Sequence, residues 1–288
     1  MKKNELSGKL VPAGKLVVIG GHENKNGRPE TAMQKEGNDP LEVLEAVISL
    51  SGKSSPVIEV ITTASGEHEE SFSDYLKIFN RLGAAEVGHI FHHNRGEVLC
   101  DDLKERIERA DLLFFTGGDQ LKLTSIYGGT SFLYQIKERY VKGPVVIAGT
   151  SAGAMALSTP MIISGNKDNQ QLVGAVRITT GFSLLKNICV DTHFVDRSRF
   201  VRMSQVIATN PGCIGIGIEE DTALIVEHGK DIKVIGSGVV IIIDGFHTKS
   251  SNVTEYDSGQ CISIADLNVS ILKDGAVWEI PALEPVFV

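Results

Sequence analysis

Apolar residues fall along this chain in short, nearly unbroken runs separated by longer stretches of helical spacing. KLVVIGG (residues 15–21), VIEVITTAS (57–65), EVGHIF (86–91), DLLFFTGGD (111–119) and PVVIAG (144–149) are rich in Val, Ile, Leu and Phe with little alternation. That pattern predicts strands of a sheet covered on both faces. Between them DPLEVLEAVISLSG, SFSDYLKIFNRLG, DDLKERIERA and TSFLYQIKERYVKG carry apolar residues at helical spacing, with closing glycines that suit a helix C-terminus. Strands alternating with helices imply βαβ units, a parallel sheet and right-handed crossovers. The last third changes character. TALIVEHGKDIKVIGSGVVIIIDG has β-branched runs broken by HGKD and GSG, and VSILKDGAVWEI is broken by Asp274-Gly275. Both read as hairpins, expected to extend or flank the parallel sheet. The predicted class is α/β, an open, mostly parallel sheet flanked by helices with extra C-terminal β-hairpins. Residues 1–288 read as one domain, of which 222–288 is a β-rich extension, because no linker, repeat or low-complexity segment divides the sequence.

Composition narrows the function. At 288 residues, 42% hydrophobic and 22% charged, the chain has ample material for a core. A formal net charge of −8 argues against nonspecific nucleic-acid binding, which needs a basic surface. The four cysteines, Cys100, Cys189, Cys213 and Cys261, form no C-x-x-C pair, so a zinc ribbon or a thioredoxin-type centre is not expected. Reduced thiols, no apolar signal core before the first strand and no membrane-length apolar run lead to the expectation of a cytoplasmic protein. GGHENKNG after the first strand has neither the G-x-G-x-x-G nor the G-x-x-x-x-G-K spacing, so no nucleotide loop is expected there. No cofactor or metal is expected either.

The chemistry concentrates around Gly149-Thr150-Ser151-Ala152-Gly153, a G-x-S-x-G pattern between a buried strand and a helix start. That junction is a nucleophile elbow, whose tight turn demands small residues two before and two after the serine. The alternative is that Ser151 merely caps a helix. A serine needs a base. Most of the eight histidines sit in polar turns, and His193 differs. NICVDTHF reads as a strand that would put Asp191 and His193 on one face, an expensive arrangement for structure alone. Arg197, Arg199 and Arg202 follow, with helical character from Ser198 on. Clustered guanidinium forks suit carboxylate recognition, or make a solvated basic face. Glu219, Glu220 and Asp221 end another strand. Alternation lets only one of the two glutamates face the site, and pattern does not choose between them.

These segments resemble a known family. VIGGHENK, FTGGDQLKL (115–123), AGTSAGA (148–154), DTHFVDRSRFVR (191–202) and GIGIEEDTA (215–223) are similar, in order and spacing, to motifs of the cyanophycinases. These are serine peptidases related to dipeptidase E and, in fold, to class I glutamine amidotransferases. The resemblance implies Ser151 as nucleophile, His193 as general base and Glu220 as the acid orienting it. It implies Gln120, Asp191, Arg197, Arg199 and Arg202 as substrate-binding groups. The amides of Gly118 and Ala152 are assigned to an oxyanion hole by geometry and analogy. The implied activity is exopeptidase cleavage of cyanophycin, poly-aspartate carrying β-linked arginine, to β-Asp-Arg dipeptides, by a homodimer. A dipeptidase-E-like aspartyl dipeptidase and a non-catalytic binding protein are the rival readings. The sequence departs from the family pattern at Thr192, where a larger polar residue is usual, at His22, where a small one is usual, and in the loop SGNKDNQQLVGAVRITTGF.

Overall fold

The computed structural model describes residues 11–23, 25, 41–165, 168–255 and 259–281. The first ten residues, read above for a leader, lie outside it. So do Asn24 of the HENK stretch, Asp39 and Pro40 at the start of the first predicted helical stretch, Asn166 and Lys167 of the loop after the elbow, and 256–258 and 282–288 of the C-terminal extension.

The five apolar runs of the first half form the strands β1 (Lys15–Ile19), β2 (Val57–Ile61), β3 (Glu86–Ile90), β4 (Leu112–Phe115) and β5 (Val146–Thr150). Their neighbours pair in parallel, in the spatial order β1-β5-β4-β2-β3. Between them lie α1 (Glu42–Ser49), α2 (His68–Arg81), α3 (Arg95–Cys100), α4 (Lys104–Arg109), α5 (Gln120–Tyr127) and α6 (Ser131–Lys142). Local chemistry starts several of these helices. The Asn94 side chain accepts from the Glu97 amide at 3.2 Å, and Asp119 accepts from the Leu121 amide at 2.8 Å, each satisfying a first-turn donor. Alternate residues of each strand enter opposite cores. Val17, Ile19, Leu112 and Phe114 pack with α1 and α2, while Leu16, Val18, Leu113 and Phe115 pack on the other face.

After β5 come α7 (Ala152–Ala156), β6 (Ser158–Thr159), β7 (Met161–Ile162), β8 (Ile178–Thr179), β9 (Leu185–Lys186), β10 (Ile188–Asp191), α8 (Phe200–Thr209), β11 (Ile214–Ile218), β12 (Thr222–Glu227), β13 (Asp231–Gly236), β14 (Val240–Asp244), β15 (Ser250–Ser251), β16 (Ile264–Ala265), β17 (Asn268–Leu272) and β18 (Val277–Glu279). Strands β12, β13 and β18 extend the main sheet antiparallel beyond β1, making eight strands in the order β18-β13-β12-β1-β5-β4-β2-β3.

The late strands also build something the pattern did not predict. A second sheet of six strands runs in the order β17-β14-β11-β10-β6-β9, and its core residues Ile188, Val190, Ile216 and Ile242 join the cluster on the α3–α7 side of the main sheet. Of the expected hairpins, HGKD does turn β12 back on β13. GSG does not: β13 stays in the main sheet while β14 pairs with β11 and β17. The reason lies in local bonding. The Ser237 amide donates to Asp221 O at 3.0 Å, and the Val239 amide donates to Glu219 Oε2 at 2.9 Å. The strand is thereby led along the 219–222 crossover and not back on itself. Asp274-Gly275 makes a turn, with Gly275 at φ 77°, but its arms also enter different sheets, β17 on β14 and β18 on β13.

Candidate active site

The site gathers where β1, β5, β10 and β11 end. Strand β5 runs into Ser151, whose backbone is at φ 51°, ψ −113°. This region is costly for a residue with a Cβ and persists only when the surroundings over-determine it. The surroundings here are tight. The Ser151 amide donates to Ile19 O at 3.0 Å. A Cβ on Gly149 would lie 2.6 Å from the Gly153 carbonyl carbon, and one on Gly153 would lie 2.3 Å from Phe115 O. The two glycines of the motif are therefore required by backbone crowding on both sides of the serine.

Ser151 Oγ lies 2.9 Å from His193 Nε2, and His193 Nδ1 lies 2.5 Å from Glu220 Oε1. The expectation that Asp191 and His193 share one strand face is corrected. Strand β10 ends at Asp191, and His193 sits at φ 48° with its amide donating to Gly20 O at 2.9 Å. The left-handed backbone swings the imidazole out of the strand and toward Ser151. Gly21, at φ 99°, leaves room for it, since a Cβ there would meet His193 Cε1 at 2.4 Å. Glu220 stands in the crossover between β11 and β12, and the next residue's amide donates to Gly21 O at 2.9 Å. Glu219 faces away, to the Val239 amide, so the tertiary structure separates the two glutamates.

Burial is the leading effect on His193 and holds its imidazole below the ordinary pKa of 6.5. The hydrogen bond to Glu220 opposes that shift, and the Arg197 charge adds to it. A neutral imidazole between a hydroxyl and a carboxylate can take the hydroxyl proton and be stabilised once charged.

A cavity of about 400 Å³ opens on Ser151 and His193 and is also bordered by His22, Glu23, Lys25, Gly118 and Arg197. Gly118 sits at φ 138°, held so close to β2's exit that a Cβ would lie 2.1 Å from Ala64 O. Ala152 opens α7, where first-turn amides lack intrahelical acceptors. Gln120 starts α5 and donates from Nε2 to Ile162 O at 2.8 Å.

The three arginines divide. Arg197 borders the cavity. Arg199 donates from Nη1 to Asp191 Oδ1 at 2.9 Å, and Arg202 grips the same carboxylate with Nε, at 2.5 Å to Oδ2, and with Nη2. Asp191 is fully buried and Arg202 nearly so. Burial pushes the Arg199 guanidinium down to about 10, against the pull of Asp191, and it stays charged at any working pH. Arg202 Nη1 also reaches Gly165 O at 3.0 Å. This cluster ties α8 to β10 and to the loop after the elbow.

Glu23 is a site residue that local reading passes over, because an acid in a polar loop looks solvated. It is buried, accepts from Thr150 Oγ1 at 2.5 Å and from the Tyr75 hydroxyl, and has Lys25 Nζ at 3.9 Å. Its sequence signal was its place in VIGGHENK, in the loop that follows the first strand.

A strained strand–Ser–helix elbow with an imidazole and a carboxylate in series, on an α/β sheet, is the arrangement of a serine hydrolase. The chain belongs to peptidase family S51, which it matches over residues 31–235. It is 31% identical over 268 residues to a cyanophycinase of Synechococcus elongatus, covering 93% of this chain and 79% of that one. It is likewise 31% identical over 261 residues, 90% and 83% of the two chains, to a cyanophycinase of Nostoc sp.. A crystal structure of a peptidase from an acI-B1 Actinobacterium matches 94% of this chain and 98% of its own, with TM-score 0.64 at 22% identity, and so shares the fold.

Proposed function

We propose that this peptidase is a cyanophycinase, cutting the polymer to β-Asp-Arg dipeptides through Ser151, His193 and Glu220. The continuous Ser151–His193–Glu220 chain of hydrogen bonds carries the mechanism, and the kinship with chains named cyanophycinase supports the substrate. Ser151 Oγ attacks the scissile carbonyl as His193 Nε2 takes its proton. Glu220 stabilises the imidazolium. The amides of Gly118 and Ala152 receive the oxyanion, each such donor lowering the barrier by about 3 kcal/mol. His193 then protonates the leaving amine, and water releases the acyl group by the same route.

A polymer of β-linked units carries free α-carboxylates and guanidinium groups. Arg197 is the cavity cation that meets a carboxylate. Asp191, Arg199 and Arg202 satisfy one another, so their part is to position the loop that carries His193 and Arg197. Gln120 acts from the start of α5, next to Gly118. Glu23 is the buried acid on the cavity side suited to a guanidinium.

The test is incubation of the chain and of Ser151→Ala with insoluble cyanophycin, with the soluble products identified. The chain releases β-Asp-Arg, and Ser151→Ala falls by at least about a thousandfold while keeping its thermal unfolding transition. Turnover of aspartyl dipeptides with the polymer untouched would favour a dipeptidase-E-like specificity. The kinship also leads us to expect a homodimer in a cytoplasmic setting. Light scattering at twice the chain mass checks the first. Among the described residues no helix is long and apolar enough to cross a membrane.

A further inference from the structure

Glu220 has a second partner. Its Oε2 lies 3.1 Å from Nδ1 of His22, a side chain 68% exposed, and the two imidazole rings, His22 and His193, meet edge to face at 5.0 Å. Neither the proton relay nor the fold uses His22. It stands at φ 47° between β1 and the cavity, so its ring is brought to Glu220 by a backbone conformation that is unusual for a residue with a side chain.

We propose that His22, Glu220 and His193 form an inhibitory site for a divalent transition ion of the Zn²⁺ class. One donor atom from each lies within 4.8 Å of the others. Two imidazoles and a carboxylate are a donor set that suits Zn²⁺ over Mg²⁺ or Ca²⁺. Tetrahedral bonds of about 2.1 Å put donors about 3.4 Å apart, close to the 3.1 Å already separating His22 from Glu220. The His193–Glu220 pair at 2.5 Å must open, and Glu220, about a quarter exposed, has room to move outward. The fourth position faces the cavity, which gives the ion both its entry path and a place for water.

Binding has a definite consequence for the relay. His193 coordinates through Nδ1 as a neutral imidazole, and the ring proton that Nδ1 carried passes to Nε2. Its hydrogen bond to Glu220 ends, and Nε2, now holding the ring's only proton, has no lone pair left to take the one on Ser151 Oγ. The imidazole can then no longer serve Ser151. The ion is a reversible blocker that takes the base and its orienting acid together. His22 is what completes the ligand set.

The test separates binding from activity, because the inhibitory arm rests on the proposed reaction and the binding arm does not. Thiols are alkylated first, since Cys100 and Cys261 are exposed. The full chain is then titrated with Co²⁺, followed by its visible absorption, and with Zn²⁺ by equilibrium dialysis. The expected result is one ion per chain with tetrahedral Co²⁺ bands, retained in Ser151→Ala and weakened more than about tenfold in His22→Ala and Glu220→Gln. Zn²⁺ should also suppress hydrolysis and serine-directed covalent labelling of the wild type, reversed by chelator, and do so less in His22→Ala. Absence of binding in the wild type, equal affinity in His22→Ala, or turnover that rises with Zn²⁺ overturns the proposal. A wild type that binds the ion but hydrolyses nothing would sustain the site and sink the proposed reaction instead.

Discussion

At the scale of single residues, the site is a set of side chains whose properties come from what surrounds them. His193 is kept neutral chiefly by burial, and Glu220 limits that shift. The sign for catalysis follows. In the proposed mechanism the base works only when unprotonated, so kcat/KM should fall as pH drops through a midpoint below 6.5, the ordinary histidine value. Glu220→Gln removes the group that favours the charged ring, so the midpoint should move lower while the plateau rate falls. A midpoint moving upward in a pH–rate profile would contradict this assignment. Arg197 and Arg202 should also separate cleanly. Arg197→Ala should raise KM for an acidic substrate with little change in the unfolding temperature. Arg202→Ala should unfold earlier, because it strips a buried carboxylate of its best partner. Sequence spacing shows that the two arginines are near each other but not which of them borders the cavity.

At the scale of elements, the elbow is held by crowding. A methyl group on Gly153 would overlap Phe115 O at 2.3 Å, and backbone cannot move aside as a flexible side chain can. Gly153→Ala should therefore cost at least about 2 kcal/mol in urea unfolding and lower turnover further by displacing Ser151. The elbow was legible in the sequence because its requirements are local: a buried strand, two small residues and a helix start. The turn at His193 was not, because nothing in DTHFVD marks a left-handed residue. That conformation is imposed by the hydrogen bond to Gly20 and the space over Gly21, residues far away in the chain.

Across the whole molecule, the late strands divide between two sheets, and the crossings between those sheets form the site. Glu220 stands in the β11–β12 crossing, and His193 leaves β10 to bond with the end of β1. The Asp191 cluster ties this region to α8. Asp191→Asn, which removes the one carboxylate that compensates two guanidinium groups, should lower unfolding free energy by about 3 kcal/mol. Chemical denaturation measures this, and a variant as stable as the wild type would show that the cluster does not bear on the fold.

The parallel core, the helices around it and the elbow were determined by the sequence alone, because hydrophobic period and small-residue spacing act over a few neighbours. The family motifs further singled out Ser151, His193 and Glu220. Which hairpins close, how His193 leaves its strand and which arginine meets the cavity were decided only by the tertiary structure. Those outcomes depend on burial and on hydrogen bonds between segments up to two hundred residues apart, such as Gly20 with His193 and Gly21 with Asp221, and no local pattern carries them.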